Sequence, residues 1–230
     1  MLTFVVLASR CTGAHFRWLN EQLYTRSGSD SLTLMQSSPE LFDMYHEGFR
    51  RQTKQWPQNP LDLCITWLHR CPTWWAVADI GCGDARLSGS VPQKVRSFDL
   101  VATQPNVEAC DMAHLPLADG EMHAAVFCLS LMGTDYGAAL EEASRVLAPA
   151  GVLWVAEVRS RFEGETGGVD AFVAAVTALG FQLRHRDESD TMFAVFRWVK
   201  SDNDGDGKVK QKKGRAVKWP MLKACEYKRR

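Results

Sequence analysis

Acidic residues stand at the ends of three predicted β-strands, a placement that suits the binding of a nucleoside. Asp79 ends the first buried strand, and Asp99 closes the second, 18 residues after Gly81. Asp111 closes the third and is followed by Met112. A carboxylate has two acceptor oxygens in one plane, so Asp99 can accept both hydroxyl protons of a ribose, while Asp111 can accept from an adenine amine. Met112 offers a soft, adaptable side chain to pack on the ring.

The turn after the first strand has the pattern Asp79-Ile-Gly81-Cys-Gly83-Asp-Ala85-Arg86. Glycine permits unusual backbone angles and lets a ligand approach the main chain closely. A dinucleotide fold would have a third small residue at the sixth position of Gly-x-Gly-x-x-Gly, where this chain has Arg86. The small residue is Ala85 instead, which favours S-adenosylmethionine over NAD. A glycine turn or a solvated strand-end Asp is common, but three acids at successive strand ends favour a site.

Hydrophobic periodicity predicts the elements that position these groups. Helices are predicted at 14–25, from 38 to before Pro57, and at 61–70, 137–147 and 169–179, with loops or turns at 27–31 and 148–151. Strands are predicted at 74–79, 95–99, 108–111, 124–129 and 152–157, with a closing hairpin at 181–186 and 192–199. The strands and helices predict an α/β fold with a mostly parallel sheet and helices on both faces. Together with the turn that favours S-adenosylmethionine, they predict the Rossmann-like class I methyltransferase type. The ligand is then expected where the strands' carboxyl ends meet.

The chain divides into five predicted segments. They are a poorly ordered N-terminal segment at 1–13, a helical cap at 14–72, a Rossmann-like core at 73–199, a flexible polar and basic loop at 200–215, and a basic C-terminal segment at 216–230. The stretch Asp202–Gly207 imitates a calcium loop, but Lys213 stands where a bidentate Glu would be required. We therefore predict a polar turn there and no metal site.

Charge is unequally distributed along this chain of zero formal net charge. Residues 1–199 have 16 Lys and Arg against 23 Asp and Glu, whereas residues 200–230 have 11 against 4. An acidic body with a basic tail suggests contact with a polyanion. The seven cysteines form no Cys-x-x-Cys pair, which fits reduced thiols in the cytosol or nucleus. The apolar opening run lacks a basic flank, and no segment reaches membrane-spanning length, so neither secretion nor a membrane partner is expected.

Several longer segments carry a more specific resemblance. They include Tyr45-His-Glu-Gly-Phe49, Val126-Phe-Cys-Leu-Ser-Leu-Met-Gly-Thr134, Ala156-Glu-Val-Arg-Ser-Arg-Phe162 and Tyr227-Lys-Arg-Arg230. From about Ala14 to the last residue, the chain resembles the nucleomethylin family, also called ribosomal RNA-processing protein 8. These are nucleolar methyltransferases that make N1-methyladenosine in large-subunit ribosomal RNA. The resemblance implies an S-adenosylmethionine-dependent enzyme of ribosome biogenesis in the nucleus and nucleolus, which releases S-adenosylhomocysteine.

Site residues follow from the same resemblance by position. It implies cofactor contacts at His46, Gly81, Asp99, Asp111, Met112 and Cys128. His46 is expected to donate to the methionine carboxylate, and Cys128 to contact the cofactor through its backbone, without thiol chemistry. Departures from the family pattern occur at Ala148-Pro-Ala-Gly151, in place of Lys-Pro-Gly-Gly, and at His123, where Asp is common. Neither departure touches the cofactor positions.

The chemistry predicts no catalytic residue. Adenine N1 has an available lone pair, so its methylation removes no proton and a general base is unnecessary. Amine-methylating enzymes often have Asn/Asp-Pro-Pro-aromatic after the fourth strand, whereas this chain has Cys128-Leu-Ser-Leu-Met-Gly133. Alignment of the reacting atoms and electrostatic stabilisation of the growing ring charge are expected to supply the rate.

Other functions fit the same residues. The chain could be a cofactor-binding module that acts in chromatin silencing or ribosome assembly without methylating RNA, or a small-molecule methyltransferase, since the fold does not fix the acceptor. The basic C-terminal segment favours ribosomal RNA as the partner. Chromatin partners are disfavoured, because the long N-terminal region often seen in the family is absent from this chain. The modified nucleotide and the oligomeric state do not follow from the sequence.

Overall fold

The computed structural model describes residues 2–164, 167–201 and 217–225, with side chains from residue 13 onward. Its seven strands are β1 (Ala76–Ile80), β2 (Lys94–Asp99), β3 (Val107–Ala109), β4 (Met122–Cys128), β5 (Leu147–Val158), β6 (Phe181–Asp187) and β7 (Phe193–Lys200). They form one sheet in the order β3-β2-β1-β4-β5-β7-β6. Strand β7 runs antiparallel to both its neighbours, and the other pairs are parallel. The predicted mostly parallel α/β sheet is therefore confirmed.

Six α-helices accompany the sheet in the described residues. They are α1 (Leu2–Thr25), α2 (Gly28–Ser37), α3 (Pro39–Thr53), α4 (Pro60–Leu68), α5 (Tyr136–Val146) and α6 (Gly168–Ala178). Helix α1 begins twelve residues before the predicted start at residue 14, across the segment expected to be poorly ordered. The loop predicted at 27–31 was wrong, because α2 begins there. The Ser27 side chain accepts from the N–H of Asp30, so residues that suggested a loop form a helix cap.

Both faces of the sheet are covered. Cys64 and Leu68 of α4 pack against Val77, Val126 and other residues on one face. On the opposite face, α5 and α6 cover a second core. Helices α1, α2 and α3 share a third core of their own, which contains buried Phe16, Leu19, Met35, Phe42 and Tyr45. The first three helices thus form a separate cap beside the sheet.

Turns connect the strands in the described stretch 81–121, where no helix was predicted. Two details of the core differ from the sequence prediction. Strand β3 ends at Ala109, which places Asp111 two residues beyond it. The turn predicted at 148–151 lies within β5, where the pairing with β4 shifts register. Within it Ala150 has φ +58°, a left-handed conformation that glycine adopts without strain.

The described part of the C-terminal segment docks on the domain. Tyr136 donates its hydroxyl to the carbonyl of Pro220 at 2.6 Å, and Trp219 and Leu222 pack against the core that α5 and α6 cover. Asn20 of α1 donates to the carbonyl of Cys225 at 2.7 Å. Residues 202–216 and 226–230, which include most of the predicted flexible loop and the last basic residues, lie outside the described residues. Among those described, no helix is long and apolar enough to cross a membrane.

Candidate active site

A cavity of about 330 Å³ opens between the helical cap and the carboxyl ends of the central strands. This volume falls in the lower range of small-molecule and cofactor sites, ~300–1,000 Å³. Every residue that the sequence analysis assigned to the cofactor lines this cavity: His46, Gly81, Asp99, Asp111, Met112 and Cys128. The structure therefore brings the whole predicted set together, from four strand ends and one cap helix.

The glycine turn after β1 forms the floor of the cavity. The N–H groups of Gly81 and Cys82 both donate to the carbonyl of Phe98, at 2.8 and 3.0 Å, which draws the turn towards β2. Gly81 has φ +74°, and a Cβ added there would lie within 3.0 Å of the Ser130 side chain. That side chain donates to the carbonyl of Ile80 at 2.6 Å. Only glycine fits between β1 and the loop after β4 without a shift.

Asp99 lies at the centre of the cavity wall. Its carboxylate accepts from the N–H of Gly83 at 2.6 Å and from the N–H of Leu100 at 2.7 Å. Burial raises the pKa of Asp99, and the neighbouring His46 opposes that shift. Burial lowers the pKa of His46 in turn, which favours the neutral imidazole, and a neutral imidazole has one N–H to donate.

His46 is held by the cap and faces the glycine turn. Its ring packs against Phe42 at 4.2 Å and edge-on against Tyr45 at 5.3 Å between centroids. A Cβ added to Gly83 would lie 3.1 Å from Cε1 of His46. Nearby, Arg50 pairs with Asp84 at 2.8 Å, which ties α3 to the same turn. The cap helix thus presents His46 beside Asp99, as a donor opposite an acceptor.

Asp111 borders the opposite end of the cavity. Its Oδ1 accepts from the N–H of Ala113 at 3.0 Å and lies 3.2 Å from the position of a Cβ added to Gly28. The N–H of Gly28, at the start of α2, donates to both carboxylate oxygens of Asp135, at 2.9 and 3.0 Å. Helix α2 therefore begins between two acidic side chains on the cavity rim.

The loop that joins β4 to α5 forms the remaining wall and is clamped by the cap. Tyr45 donates its hydroxyl to Sδ of Met132 at 3.4 Å, and the N–H of Thr134 donates to the carbonyl of Arg26 at 3.0 Å. Sequence reasoning missed Ser130, Met132 and Asp135 as cavity residues. Asp135 follows directly on the segment Cys128–Thr134, and an acid just after this segment was the one sequence feature that could have indicated a further cavity residue.

Neither cysteine of the cavity is prepared to act as a nucleophile. Burial raises the pKa of the Cys128 and Cys82 thiols well above their ordinary value, so both thiols are protonated at neutral pH. No cluster of His, Cys, Asp and Glu side chains in the described part of the chain could hold a metal ion. The polar groups of the cavity are suited to binding rather than to covalent or metal chemistry.

These groups fit an adenosyl cofactor. Asp99 keeps lone pairs for a pair of hydroxyls while it holds the turn, and Asp111 offers an acceptor beside the apolar Met112. The left-handed turn at Gly81 and Gly83, at φ +74° and +56°, lets a ligand lie against the main chain. The order and directions of the strands put this turn at the carboxyl edge of a doubly wound sheet, where such ligands bind.

The family model described as "Hypothetical methyltransferase" matches residues 5–230. Ribosomal RNA-processing protein 8 of Arabidopsis thaliana is 46% identical over 226 residues, which cover 97% of this chain and 77% of that protein. The chain belongs to the ribosomal RNA-processing protein 8 family of methyltransferases. Another family member, the 25S rRNA (adenine(645)-N(1))-methyltransferase of Schizosaccharomyces pombe, is 39% identical over 236 residues and matches 97% of this chain and 71% of its own length.

Family members differ in length around the shared region. The chain covers 47% of the rat protein of the same name, at 46% identity. Among solved structures, a Burkholderia thailandensis 1,6-didemethyltoxoflavin-N1-methyltransferase matches 71% of this chain and 87% of its own, with a TM-score of 0.54 and 18% identity. That similarity establishes the fold, and the Rossmann-like class I prediction is confirmed.

Proposed function

We propose that this chain transfers a methyl group from S-adenosylmethionine to N1 of an adenine in large-subunit ribosomal RNA, in ribosome biogenesis. The observation that carries the proposal is the convergence of six independently placed side chains and main-chain groups on one cavity. The relatives support the acceptor, because two are named 25S rRNA (adenine(645)-N(1))-methyltransferase, from Schizosaccharomyces pombe and Saccharomyces cerevisiae.

Each residue has a distinct role in holding the cofactor. Asp99 accepts the ribose hydroxyls, and Asp111 accepts from the adenine amine above Met112. His46 donates to the methionine carboxylate, and Gly81 lets that end lie against the main chain. The main chain at Cys128 completes the wall. When bound, S-adenosylmethionine supplies a methyl group that its sulfonium already activates.

The remaining catalytic work is positioning and charge stabilisation. Adenine N1 attacks with its own lone pair, so no side chain has to remove a proton. The product ring is cationic, and the carboxylate of Asp135 on the cavity rim favours that charge. A paired base must first be extruded or be met in a loop to reach the cavity.

The basic C-terminal segment supplies the RNA-binding part of the proposal. Docking of residues 217–225 supports it, because this segment is held against α1 and α5, both of which border the cavity through Leu23 and Tyr136. Lys228, Arg229 and Arg230 follow within five residues of Cys225. A place beside α1 would let them bind RNA phosphates near the site. Ribosomal RNA as substrate implies a nuclear and nucleolar protein.

Methyl transfer to RNA tests the proposal directly. Purified chain, S-adenosylmethionine and transcripts of large-subunit ribosomal RNA are incubated together, and the digested nucleosides are measured by mass spectrometry. We expect N1-methyladenosine with the native chain and at least a tenfold loss with Asp99→Asn. Comparison of ribosomal RNA from cells with and without the protein identifies the nucleotide.

Two other outcomes would favour the competing functions. A chain that binds S-adenosylhomocysteine but forms no methylated nucleoside, even on intact ribosomal RNA, would be a cofactor-binding module of silencing or assembly. Methylation of small acceptors alone would contradict an RNA substrate. In the second case the basic segment would have to serve a different polyanion.

A further inference from the structure

Glu157 and Arg161 form an ion pair inside the protein. Arg161 Nη1 lies 2.9 Å from Glu157 Oε2, and their side chains are 1% and 0% exposed. The guanidinium also lies 4.7 Å from the centre of the Tyr24 ring on α1. Two charges are costly to bury unless each is fully partnered, so the other contacts of this pair indicate what it serves.

The acidic member of the pair holds the cavity wall. Oε1 of Glu157 accepts from the N–H of Leu131 at 3.0 Å. Leu131 lies between Ser130 and Met132, both of which line the cavity in the loop after β4. The carboxylate of Glu157 thus holds the middle of that loop, between the bonds at Ser130 and Met132.

The basic member holds the C-terminal segment. Arg161 Nε donates to the carbonyl of Lys223 at 3.1 Å, and the N–H of Lys223 donates back to the carbonyl of Arg161 at 2.9 Å. The segment is secured on both sides of this point, at Pro220 by Tyr136 and at Cys225 by Asn20. Tyr136 itself borders the cavity.

We infer that Glu157 and Arg161 are positioning residues that couple docking of the C-terminal segment to the shape of the cofactor cavity. One ion pair fixes the loop at Leu131 and the segment at Lys223, so release of the segment loosens the wall behind the ligand. By thermodynamic reciprocity, a ligand that needs the ordered wall must hold the segment in place. The inference rests on the proposed function for the identity of that ligand.

The test uses the two buried cysteines as reporters in the full chain. Cys225 is 5% exposed within the docked segment, and Cys64 is 0% exposed in the core between α4 and the sheet. Maleimide labelling of each thiol is followed by mass spectrometry, with and without S-adenosylhomocysteine. Labelling of Cys225 reports release of the segment, and labelling of Cys64 reports unfolding of the whole domain.

Arg161→Lys keeps a charge opposite Glu157 but loses the Nε donor to Lys223. We expect it to accelerate labelling of Cys225 about tenfold and to weaken S-adenosylhomocysteine binding by a similar factor, a typical strength of coupling between sites. In the native chain, saturating S-adenosylhomocysteine should slow labelling of Cys225 about tenfold. Cys64 should label at the same slow rate in each case.

Arg145→Lys is the matched control. Arg145 also bonds carboxylates and carbonyls, those of Asp119, Glu142, Leu115 and Leu117, but none of these four residues lines the cavity. It should leave the labelling of Cys225 unchanged. If Arg161→Lys does not fold, Asn20→Ala removes one bond to the segment at a residue that does not line the cavity, and it carries the same comparison.

The outcomes separate this inference from the proposed function. Binding of S-adenosylhomocysteine with no change in the labelling of Cys225 would overturn the coupling and leave the enzyme assignment intact. If Arg161→Lys accelerated the labelling of Cys225 and Cys64 equally, the ion pair would have a purely structural role. That result would also overturn the coupling. A native chain that does not bind S-adenosylhomocysteine at all would overturn both.

Discussion

Gly83 donates its main-chain N–H to Oδ2 of Asp99 at 2.6 Å, which ties the turn after β1 to the end of β2. The second oxygen of the same carboxylate accepts from Leu100. Each oxygen has a further lone pair, so one side chain can keep the turn closed and bind two hydroxyls of a ligand. The shape of the turn and the affinity of the cavity therefore depend on the same residue.

Replacement of Asp99 should weaken cofactor binding. Asp99→Asn replaces one carboxylate oxygen, which now accepts from a main-chain N–H, by an NH₂ donor. It also removes the paired acceptor for the ribose hydroxyls. We expect S-adenosylhomocysteine affinity to fall by about 1–3 kcal/mol, measured by calorimetry. Asp119→Asn is the control, because Asp119 is 83% exposed and does not line the cavity. Unchanged affinity in Asp99→Asn would remove this residue from the site.

Alanine at Gly81 should block the cavity floor. The left-handed φ of +74° strains any other residue, and the added Cβ meets Ser130. Gly180 is a matched control, since its φ is +94° but no atom lies within 4 Å of an added Cβ. Gly180→Ala should cost about 1 kcal/mol of stability and leave ligand affinity alone. Gly81→Ala should in addition lose at least tenfold in S-adenosylhomocysteine affinity. Equal affinity in both variants would contradict the need for glycine against Ser130 at the cavity floor.

The buried carboxyl of Asp79 should make stability depend on pH. Burial and the nearby Asp99 raise the pKa of Asp79 from 3.8 to about 7. Because the pKa of this carboxyl is higher in the folded state, its protonated form stabilises the fold. This contribution is fully present below pH 3.8 and is lost as pH rises through about 7. Asp79→Asn should therefore gain stability relative to the native chain from pH 5 to pH 8, by about 3 kcal/mol, since about two pH units of that window lie below the folded-state pKa. Denaturant unfolding at both pH values measures this, and a pH-independent difference would be inconsistent with the shift.

The last basic residues should contribute to the salt dependence of RNA binding. Replacing Lys228, Arg229 and Arg230 by Ala should flatten the slope of log affinity against log salt, by at most roughly 0.7 for each phosphate of single-stranded RNA that is no longer neutralised. S-adenosylhomocysteine affinity should stay nearly constant, because the substitutions lie beyond the docked residues 217–225. An identical slope for both proteins would show that these residues do not bind the RNA backbone.

The sequence predicted Asp99 and Asp111 as cavity residues because strand-end acids are local features, whereas His46 and Cys128 followed from the family resemblance. Each predicted cofactor residue lies within three residues of a strand end or in a cap helix, and the parallel topology brings strand ends to one edge. Asp99 and Asp111 could be assigned without knowing how far apart they lie. What the pattern could not supply was the clamp on the loop after β4, since Tyr45 and Met132 are 87 residues apart.

Other errors also had physical causes. Helix α2 was missed because Ser27, Gly28 and Asp30 suit both a loop and a helix start, and the cap bond decides between them. The Glu157–Arg161 pair has helical spacing, yet it spans the end of β5 and a single 3-10 turn at Arg159–Phe162. A Glu inside the apolar run Val155–Val158 was the available signal for a buried partner.

The bond between Asn20 and Cys225 joins residues 205 positions apart. Translation releases α1 early, and domains begin to fold from their N-terminal parts during synthesis. The polar side chain of Asn20 is 4% exposed in the folded protein, and it can bond this carbonyl only after nearly the entire chain has been synthesised. Docking of the C-terminal segment on α1 is thus a late event in synthesis of the chain, and a nascent chain stalled before residue 217 lacks this contact.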